Sequence, residues 1–393
     1  MQNDPVVILS ALRTPIGSFQ GTLSPVSAPQ LAAAATRGVL EQTGMDPAEI
    51  SEVVYGCVLP AGLGQAPARQ GALAAGIPNS VGATTINKMC GSGMQAVMFG
   101  HALIASGGAQ VVLAGGMESM TNSPYLLPKA RGGYRMGHQE VLDHMFYDGL
   151  QNIYDGQMMG AFAEATAGKY GFTREEQDAF STESVNRALA ATASGAFADE
   201  IVPVTVEFRR KSYVVDKDEE PGRCDLAGIP KLRPAFKSDG TVTAASSSSI
   251  SDGASSILLA SASRAAALGV KPLATICGYS TFAHAPEWFT TAPVGALKAL
   301  LEKLGWSSED VDLWEINEAF AVVTMAAIKD LGLNPARVNV NGGACALGHP
   351  IGASGARIIA TLVHALKNRG GKRGIAALCI GGGEATAIAV ELA

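Results

Sequence analysis

Short apolar runs alternate with longer segments of helical spacing towards both ends of the chain. Apolar runs bounded by turn residues predict buried strands, and apolar residues three or four positions apart predict helices. In the first part, the predicted strands are 6–9, 53–55 and 110–114, and the predicted helices are 30–41 and 93–105. Towards the end, the predicted strands are 273–277, 313–316 and 374–379, and the predicted helices are 294–304 and 354–368. This alternation predicts an α/β fold with mostly parallel strands.

The two ends of the chain also resemble each other residue by residue. Glu302 lies 261 positions after Glu41, and Ser354-Gly355 lies 262 positions after Ser92-Gly93. A double glycine follows in each copy, Gly115-Gly116 in the first and Gly381-Gly382 in the second. A nearly constant offset over several features indicates an internal duplication.

Residues 119–249 have no counterpart in the second copy. This stretch is richer in Tyr, Met, His and Arg, contains a predicted helix over 174–193, and is expected to cover the paired cores. The strand–helix pattern returns at about residue 250. We therefore expect an N-terminal core half at 1–118, a loop domain at 119–249, completion of the N-terminal core at 250–270, and a C-terminal core half at 271–393.

Composition narrows the class of protein. Hydrophobic residues make up 47% of the 393 residues and charged residues 16%, which is typical of a compact, heavily buried protein. The net charge of −6 argues against nucleic acid as the main partner. None of the six cysteines forms a C-x-x-C pair, and no apolar run of about 18 residues occurs, so we expect neither a metal site nor membrane insertion. A start without signal-peptide features leads us to expect a cytoplasmic protein.

Three reactive side chains stand in glycine-rich turns. Cys90 precedes Gly91-Ser92-Gly93, His349 follows Gly348, and Cys379 precedes Gly381. A thiol, an imidazole and a second thiol supply the nucleophile, activator and proton carrier that carbon–carbon bond chemistry on thioesters needs. Because Cys90 precedes a predicted helix, we expect the partial positive charge of the helix N-terminus to favour its thiolate.

Four segments, in order, resemble the signatures of the thiolase family. They are Asn87-Lys88-Met89-Cys90-Gly91-Ser92-Gly93, Asn317-Glu318-Ala319-Phe320, Gly348-His349-Pro350-Ile351-Gly352-Ala353-Ser354-Gly355 and Cys379-Ile380-Gly381-Gly382-Gly383. The resemblance covers essentially the whole chain. It implies a duplicated, five-layered α-β-α-β-α core with an inserted loop domain, 119–249, that binds coenzyme A, assembled as a homodimer or homotetramer.

The resemblance also implies a role for each reactive residue. Cys90 would take an acyl group from acyl-CoA as a thioester, His349 would activate it, and Cys379 would remove the α-proton of a second acetyl-CoA. One oxyanion hole would combine His349 with a water held by Asn317, and the other would use the N–H groups of Cys90 and Gly381. Coenzyme A thioesters would be substrates, and no cofactor is expected.

Substrate contacts and acyl-chain length are less sharply indicated. By resemblance, the residues in contact with coenzyme A are Ser248, Ala244, Phe236, Arg223, Met159 and Phe320. The chain departs from the acetoacetyl-CoA-forming pattern at Met158, where His is usual, at Ser249, and at Phe289, where Met is frequent. The resemblance favours an acetyl-CoA acetyltransferase, which reversibly condenses two molecules of acetyl-CoA into acetoacetyl-CoA and coenzyme A by a ping-pong mechanism. Because of these departures, a broader 3-ketoacyl-CoA thiolase of fatty-acid β-oxidation is the alternative.

Two other functions are less favoured by the sequence. A β-ketoacyl-carrier-protein synthase shares this architecture, but such enzymes typically have Cys-His-His or Cys-His-Asn, so Cys379 argues against one. A mainly structural subunit of an oxidation complex would not need every reactive position intact.

Overall fold

The computed structural model describes residues 4–393. The strands in this range are β1 Val6–Arg13, β2 Gly17–Ser18, β3 Glu52–Gly56, β4 Gly82–Ile86, β5 Val111–Ser119, β6 Tyr125–Leu126, β7 Leu142–Asp143, β8 Val204–Phe208, β9 Lys211–Val215, β10 Ser251–Ser261, β11 Ala274–Ala283, β12 Leu313–Ile316, β13 Arg373–Ile380 and β14 Glu384–Leu392. The α-helices are α1 Ala28–Thr43, α2 Pro67–Ala74, α3 Ser92–Ala105, α4 Met159–Tyr170, α5 Arg174–Ser194, α6 Ala262–Ala267, α7 Ala292–Leu304, α8 Ala321–Leu331, α9 Ala344–Leu347 and α10 Ser354–Arg369.

The strand order shows the duplication directly. One half of the main sheet runs β4-β3-β5-β10-β1, and the other runs β12-β13-β14-β11. In each half, the first strand of the repeat (β1 or β11) lies at the junction between the halves. Its neighbour within the half is the last strand of the repeat (β10 or β14). The halves meet where Val7 and Ile8 of β1 pair antiparallel with Thr275 and Ala274 of β11. Among the described residues, the second half has no full counterpart of β4. At that position, Val338 forms a single parallel bridge with Trp314 of β12.

Three hydrophobic clusters define the layers. The first packs α1 and α2 on the outer face of the first half-sheet, and the third packs α7 and α8 on the outer face of the second. The second cluster contains α3 and α10 together with residues from both half-sheets, so these two helices form the central layer. The predicted α-β-α-β-α arrangement is confirmed. The expectation of mostly parallel strands holds only for the pairs β3-β4, β3-β5 and β12-β13, because β10 and β14 run antiparallel to their neighbours and the two halves also join in an antiparallel pair.

Three strands extend well beyond their predicted ends, and the first of them, β1, runs past the predicted 6–9 to Arg13. β5 continues through Gly115-Gly116 to Ser119, although the double glycine suggested a stop. The glycines are needed because β5 lies close to its neighbours: a Cβ on Gly115 would collide with the carbonyl oxygen of Ser255. β11 likewise runs to Ala283, paired along its length with β14.

The segment 119–249 lies outside the ten-stranded sheet. Its helix α5 begins one residue after Thr173, whose side chain forms a capping box with Glu176, and its end at Ser194 agrees with the predicted 174–193. After the segment, β10 pairs with both β1 and β5 in the first half-sheet. The division of the chain into domains stays a prediction. Within residues 4–393, no helix is both long and apolar enough to span a membrane.

Candidate active site

The predicted reactive residues meet at the carboxyl ends of the parallel strands. Cys90 lies in the turn between β4 and α3, and Asn317 follows β12 directly. Cys379 lies at the end of β13, and His349 precedes α10. Because the carboxyl ends of parallel strands share one edge of a sheet, and the two half-sheets face each other across α3 and α10, the copies bring these residues together.

The turn that carries Cys90 holds a strained backbone. Met89 has a φ of 46°, which is unusual for a residue with a side chain. Its N–H donates to Oδ1 of Asn87 at 2.9 Å, and its carbonyl oxygen accepts from the Ser92 hydroxyl at 2.6 Å. Gly91 lies against Ile380, and any Cβ at Gly91 would collide with that side chain. The turn is therefore fixed against the Cys379 segment.

Cys90 is partly buried and borders a cavity. Burial raises the pKa of the Cys90 thiol to about 11, although the backbone N–H groups of Gly381 and Cys90 itself act in the opposite direction. Desolvation therefore outweighs the backbone donors that favour the thiolate, and the thiol of the free protein keeps its proton. A base is needed to remove the proton.

His349 is placed to be that base. Its Nδ1 lies 2.6 Å from the Ser354 hydroxyl, and this hydroxyl can donate onward to the Pro350 carbonyl oxygen at 3.0 Å. Its Nε2 has no hydrogen-bond partner among residues 4–393, and the residue borders the same cavity as Cys90. Burial, with a smaller contribution from the positive charge of Arg357, lowers the pKa of His349 to about 3. The imidazole is therefore neutral at physiological pH.

Cys379 lies behind the cavity wall. It is fully buried and packs with Phe289, Ala319 and Phe320. Burial raises its pKa well above the usual value, and the nearby Cys90 thiolate raises it further. The two thiols are thus close enough for the charge of one to affect the other.

A cavity of about 220 Å³ joins the nucleophile to the inserted segment. Among the residues predicted to contact coenzyme A, four border it: Ser248, Phe236, Met159 and Phe320. Phe236, which is 37% exposed, packs edge-on to Phe320 with ring centroids 5.9 Å apart. Met158, Ser249 and Phe289 also border it, as does Gly381.

Two predicted coenzyme A contacts and two predicted catalytic residues, Asn317 and Cys379, do not border this cavity. Ala244 is exposed to solvent outside it. Arg223 is also exposed and pairs with Glu219 at 3.2 Å. Asn317 is buried behind the imidazole, with its Nδ2 3.5 Å from Nδ1 of His349.

Sequence reasoning missed several residues around the site. Glu118 at the end of β5 is fully buried, and its carboxylate accepts the N–H groups of Val58, Leu59 and Gly352 at 2.9–3.1 Å. It therefore joins the first half to the loop that carries His349. Burial raises the pKa of Glu118 to about 7. The sequence feature that could have identified Glu118 is its position two residues after Gly116, the end of the double glycine that the two copies share.

The apolar part of the wall was missed as well. It comprises Met120, Phe146, Leu150, Ile250 and Ile351. Phe146 and Leu150 belong to a π-helical turn, Met145–Leu150, inside the insertion, for which no sequence period was available. No group of three or more His, Cys, Asp or Glu residues in the described part of the chain is placed to hold a metal ion.

The architecture and site match a known family. The family model "Thiolase, N-terminal domain" matches residues 6–263, and "Thiolase, C-terminal domain" matches residues 270–392. The chain belongs to the thiolase family.

Individual relatives agree with this assignment. An acetyl-CoA acetyltransferase of Chromobacterium violaceum is 50% identical over 98% of this chain and 99% of its own. Acetyl-CoA acetyltransferase 2 of Arabidopsis thaliana is 51% identical over 98% of this chain and 97% of its own. The crystal structure of a Bacillus anthracis acetyl-CoA acetyltransferase superposes with a TM-score of 0.97 at 43% identity, covering 99% of each chain. An Ascaris suum thiolase in complex with coenzyme A gives a TM-score of 0.94 at 45% identity, covering 99% of this chain and 100% of its own.

Proposed function

We propose that this chain is an acyltransferase that condenses two molecules of acetyl-CoA into acetoacetyl-CoA and free coenzyme A, and catalyses the reverse cleavage. One observation carries the proposal: Cys90, the unpaired Nε2 face of His349 and the N–H group of Gly381 converge on one small, largely apolar cavity. The similarity to acetyl-CoA acetyltransferases over nearly the whole chain supports the choice of acyl group.

The first half-reaction acylates Cys90. Nε2 of His349 accepts the proton of the thiol, and the sulfur attacks the thioester carbonyl of acetyl-CoA. The bond to the coenzyme A sulfur then breaks, and the departing thiolate takes the proton back from His349. The backbone N–H groups of Cys90 and Gly381, which already face the sulfur, are suited to stabilise the oxyanion of this thioester.

The second half-reaction forms the carbon–carbon bond. The Cys379 thiolate removes an α-proton from a second acetyl-CoA, and the enolate attacks the acyl carbon on Cys90. The carbon–sulfur bond to Cys90 breaks, acetoacetyl-CoA leaves, and the departing Cys90 thiolate takes the proton that Cys379 had removed. Because Cys379 is buried and its pKa is raised, its thiolate is a strong base once formed. An oxyanion hole for the enolate, formed by His349 with a water held by Asn317, stays a prediction.

The wall of the cavity supports a short acyl group. Phe289 is 3% exposed and packs edge-on against Phe162, with ring centroids 6.3 Å apart, so its ring is held in place. A cavity of about 220 Å³ lies below the usual range of roughly 300–1,000 Å³ for pockets that enclose whole ligands. A broader 3-ketoacyl-CoA thiolase of fatty acid metabolism is the second candidate, favoured by the flexible Met158 on the same wall.

We propose that copies of the chain assemble into a dimer or tetramer. The inserted segment carries a group of exposed apolar side chains that a solitary chain would leave in water: Tyr125, Leu127, Met136, Val141, Ile153 and Tyr154. Cytoplasmic localisation and the absence of a cofactor remain predictions. Light scattering of the purified chain measures the assembly, and a monomer would contradict it.

A steady-state assay tests the activity. Purified chain is given acetoacetyl-CoA and free coenzyme A, and then a carrier-protein thioester in place of the CoA substrate. We expect cleavage to acetyl-CoA and negligible turnover of the carrier-protein substrate. Rapid turnover of the carrier-protein substrate with none on CoA thioesters would contradict the proposal.

A further inference from the structure

Arg357 is a buried arginine next to the candidate active site. It lies on α10, three residues after Ser354, and is only 2% exposed. Its Nη2 donates to Oδ1 of Asn317 at 3.2 Å, and its Nη1 lies 3.8 Å from the carboxylate of Glu315. A buried guanidinium is costly unless it is paired, so its position beside the site needs an explanation.

The contact with Asn317 fixes the direction of an amide. A guanidinium group has only donors, so the Asn317 oxygen must face Arg357 and its NH₂ group must face away. That NH₂ group lies 3.5 Å from Nδ1 of His349. Because Nδ1 carries the imidazole proton when Nε2 is the acceptor, the NH₂ group does not donate to Nδ1 but lies in contact with it and so helps to hold the ring in place.

Arg357 also places a positive charge behind the imidazole. The other groups around His349 are the Ser354 hydroxyl on Nδ1, the Cys90 thiol across the cavity, and the Glu118 carboxylate, which is bound to the N–H of Gly352. Glu315 lies on the far side of Arg357, and burial raises its pKa to about 8. The buried carboxyl groups of Glu200 and Glu318 and the positive charge of Arg13 also act on Arg357, the carboxyl groups in its favour and Arg13 against it.

We propose that Arg357 is a positioning residue for His349, holding the Asn317 amide against the imidazole and placing a fixed positive charge behind it. The role attached to it rests on the proposed function, in which His349 accepts the Cys90 proton. An imidazolium beside a buried guanidinium is unfavourable, and the charge contributes to lowering the pKa of His349. His349 is therefore kept neutral between turnovers, and it readily returns the proton to the departing coenzyme A thiolate.

Two substitutions of Arg357 distinguish the effect of its positive charge from its effect on the orientation of the Asn317 amide. Arg357→Met removes both, whereas Arg357→Lys keeps a positive charge but lacks the planar donor group that holds Asn317. For Arg357→Met we expect the pKa of His349 to rise, so that kcat/KM falls off at a higher pH on the acid side. For both variants we expect kcat/KM to fall by about tenfold, the kinetic equivalent of one oriented hydrogen bond.

The readouts distinguish positioning from a merely structural role. Nuclear magnetic resonance of histidine-labelled protein follows the titration of His349, and alkylation of Cys90 by iodoacetamide follows the thiol without any acyl-CoA. Thr361→Val is the matched control, because Thr361 lies one turn further along α10 and donates to Glu200 rather than to Asn317. It should lower the thermal midpoint and leave the His349 titration unchanged.

A double substitution tests the proposal even if Arg357→Met does not fold. If Arg357 acts through Asn317, Arg357→Lys should reduce kcat/KM no further in an Asn317→Ala background. If the losses of kcat/KM from Arg357→Lys and Asn317→Ala are additive, Arg357 does not act by orienting Asn317. If Arg357→Met leaves the titration of His349 unchanged, the charge of Arg357 does not act on the imidazole. A shifted titration in a chain without acyl transfer would support the positioning and contradict the proposed function, so the two failures are distinguishable.

Discussion

Gly93 and Gly355 occupy equivalent positions in the two halves of the duplicated core, and each lies against the backbone of the other's helix. A Cβ on Gly93 would lie 2.8 Å from the backbone nitrogen of Ala356, and a Cβ on Gly355 would collide with the backbone nitrogen of Met94. The first turns of α3 and α10 thus cross at the closest approach that two backbones allow. This crossing holds the Cys90 turn beside the His349 turn.

Gly355→Ala tests the crossing. Because backbone cannot move aside as a flexible side chain can, we expect the variant to lose about 1–3 kcal/mol of unfolding free energy, or to fail to fold. Gly168→Ala is the control, since Gly168 lies inside α4 with open space around it and an alanine should be neutral or slightly stabilising. Denaturant unfolding measures both. Equal stability of the two variants would refute the close contact.

His349 should make stability depend on pH in a definite direction. Its pKa is lowered from 6.5 to about 3 in the folded chain, so between these values the unfolded chain binds the proton more tightly. Acidification through this range therefore destabilises the fold, whereas above pH 6.5 the residue contributes nothing. On going from pH 7 to pH 4.5, wild type should lose about 2–3 kcal/mol relative to His349→Gln.

Comparison with His349→Gln is needed because other groups titrate in the opposite sense. Burial raises the pKa of Glu118 to about 7 and that of Glu315 to about 8, so both favour the fold at lower pH. Their contributions cancel in the difference between the two chains. Parallel stability curves for wild type and His349→Gln would show that the imidazole is not buried in its neutral form.

The layered fold could be predicted from the sequence because the same pattern of strands and helices occurs twice along the chain. Two copies with one offset give each strand and helix a second, independent indication, and motif order placed Cys90, His349 and Cys379 correctly near one another. The periodicities near residues 354–368 and 174–193 were strong enough to fix α10 and α5 to within one residue.

What the sequence did not reveal depends on contacts between distant segments. The raised pKa of Cys90 follows from enclosure by segments far away in sequence, which no helix-terminus argument contains. Glu118 and Arg357 act through partners more than thirty residues away. A clue was present for Arg357, since Ser354, Arg357, Thr361 and His364 recur at helical spacing and all are buried on α10.

Phe289→Ala tests which wall limits the acyl chain. Removing the ring enlarges the cavity, so we expect kcat/KM for 3-ketoacyl-CoA substrates of six or more carbons to rise relative to acetoacetyl-CoA. Phe197→Ala is the matched control, because Phe197 is buried in a separate cluster and should cost stability without changing the ratio. A wild-type chain that already prefers six or more carbons would instead favour the broader thiolase.

The division of labour between the two thiols is the central claim. Wild type, Cys90→Ser and Cys379→Ser are incubated with acetyl-CoA alone, quenched in acid and digested, and the acetylated peptide is identified by mass spectrometry. Cys224→Ser, at an exposed cysteine of the inserted segment, serves as the control and should behave as wild type.

We predict that Cys379→Ser is acetylated on Cys90 as fully as wild type yet forms no acetoacetyl-CoA, whereas Cys90→Ser carries no acetyl group. Equal loss of acetylation in both variants, or acetylation on Cys379, would contradict the account.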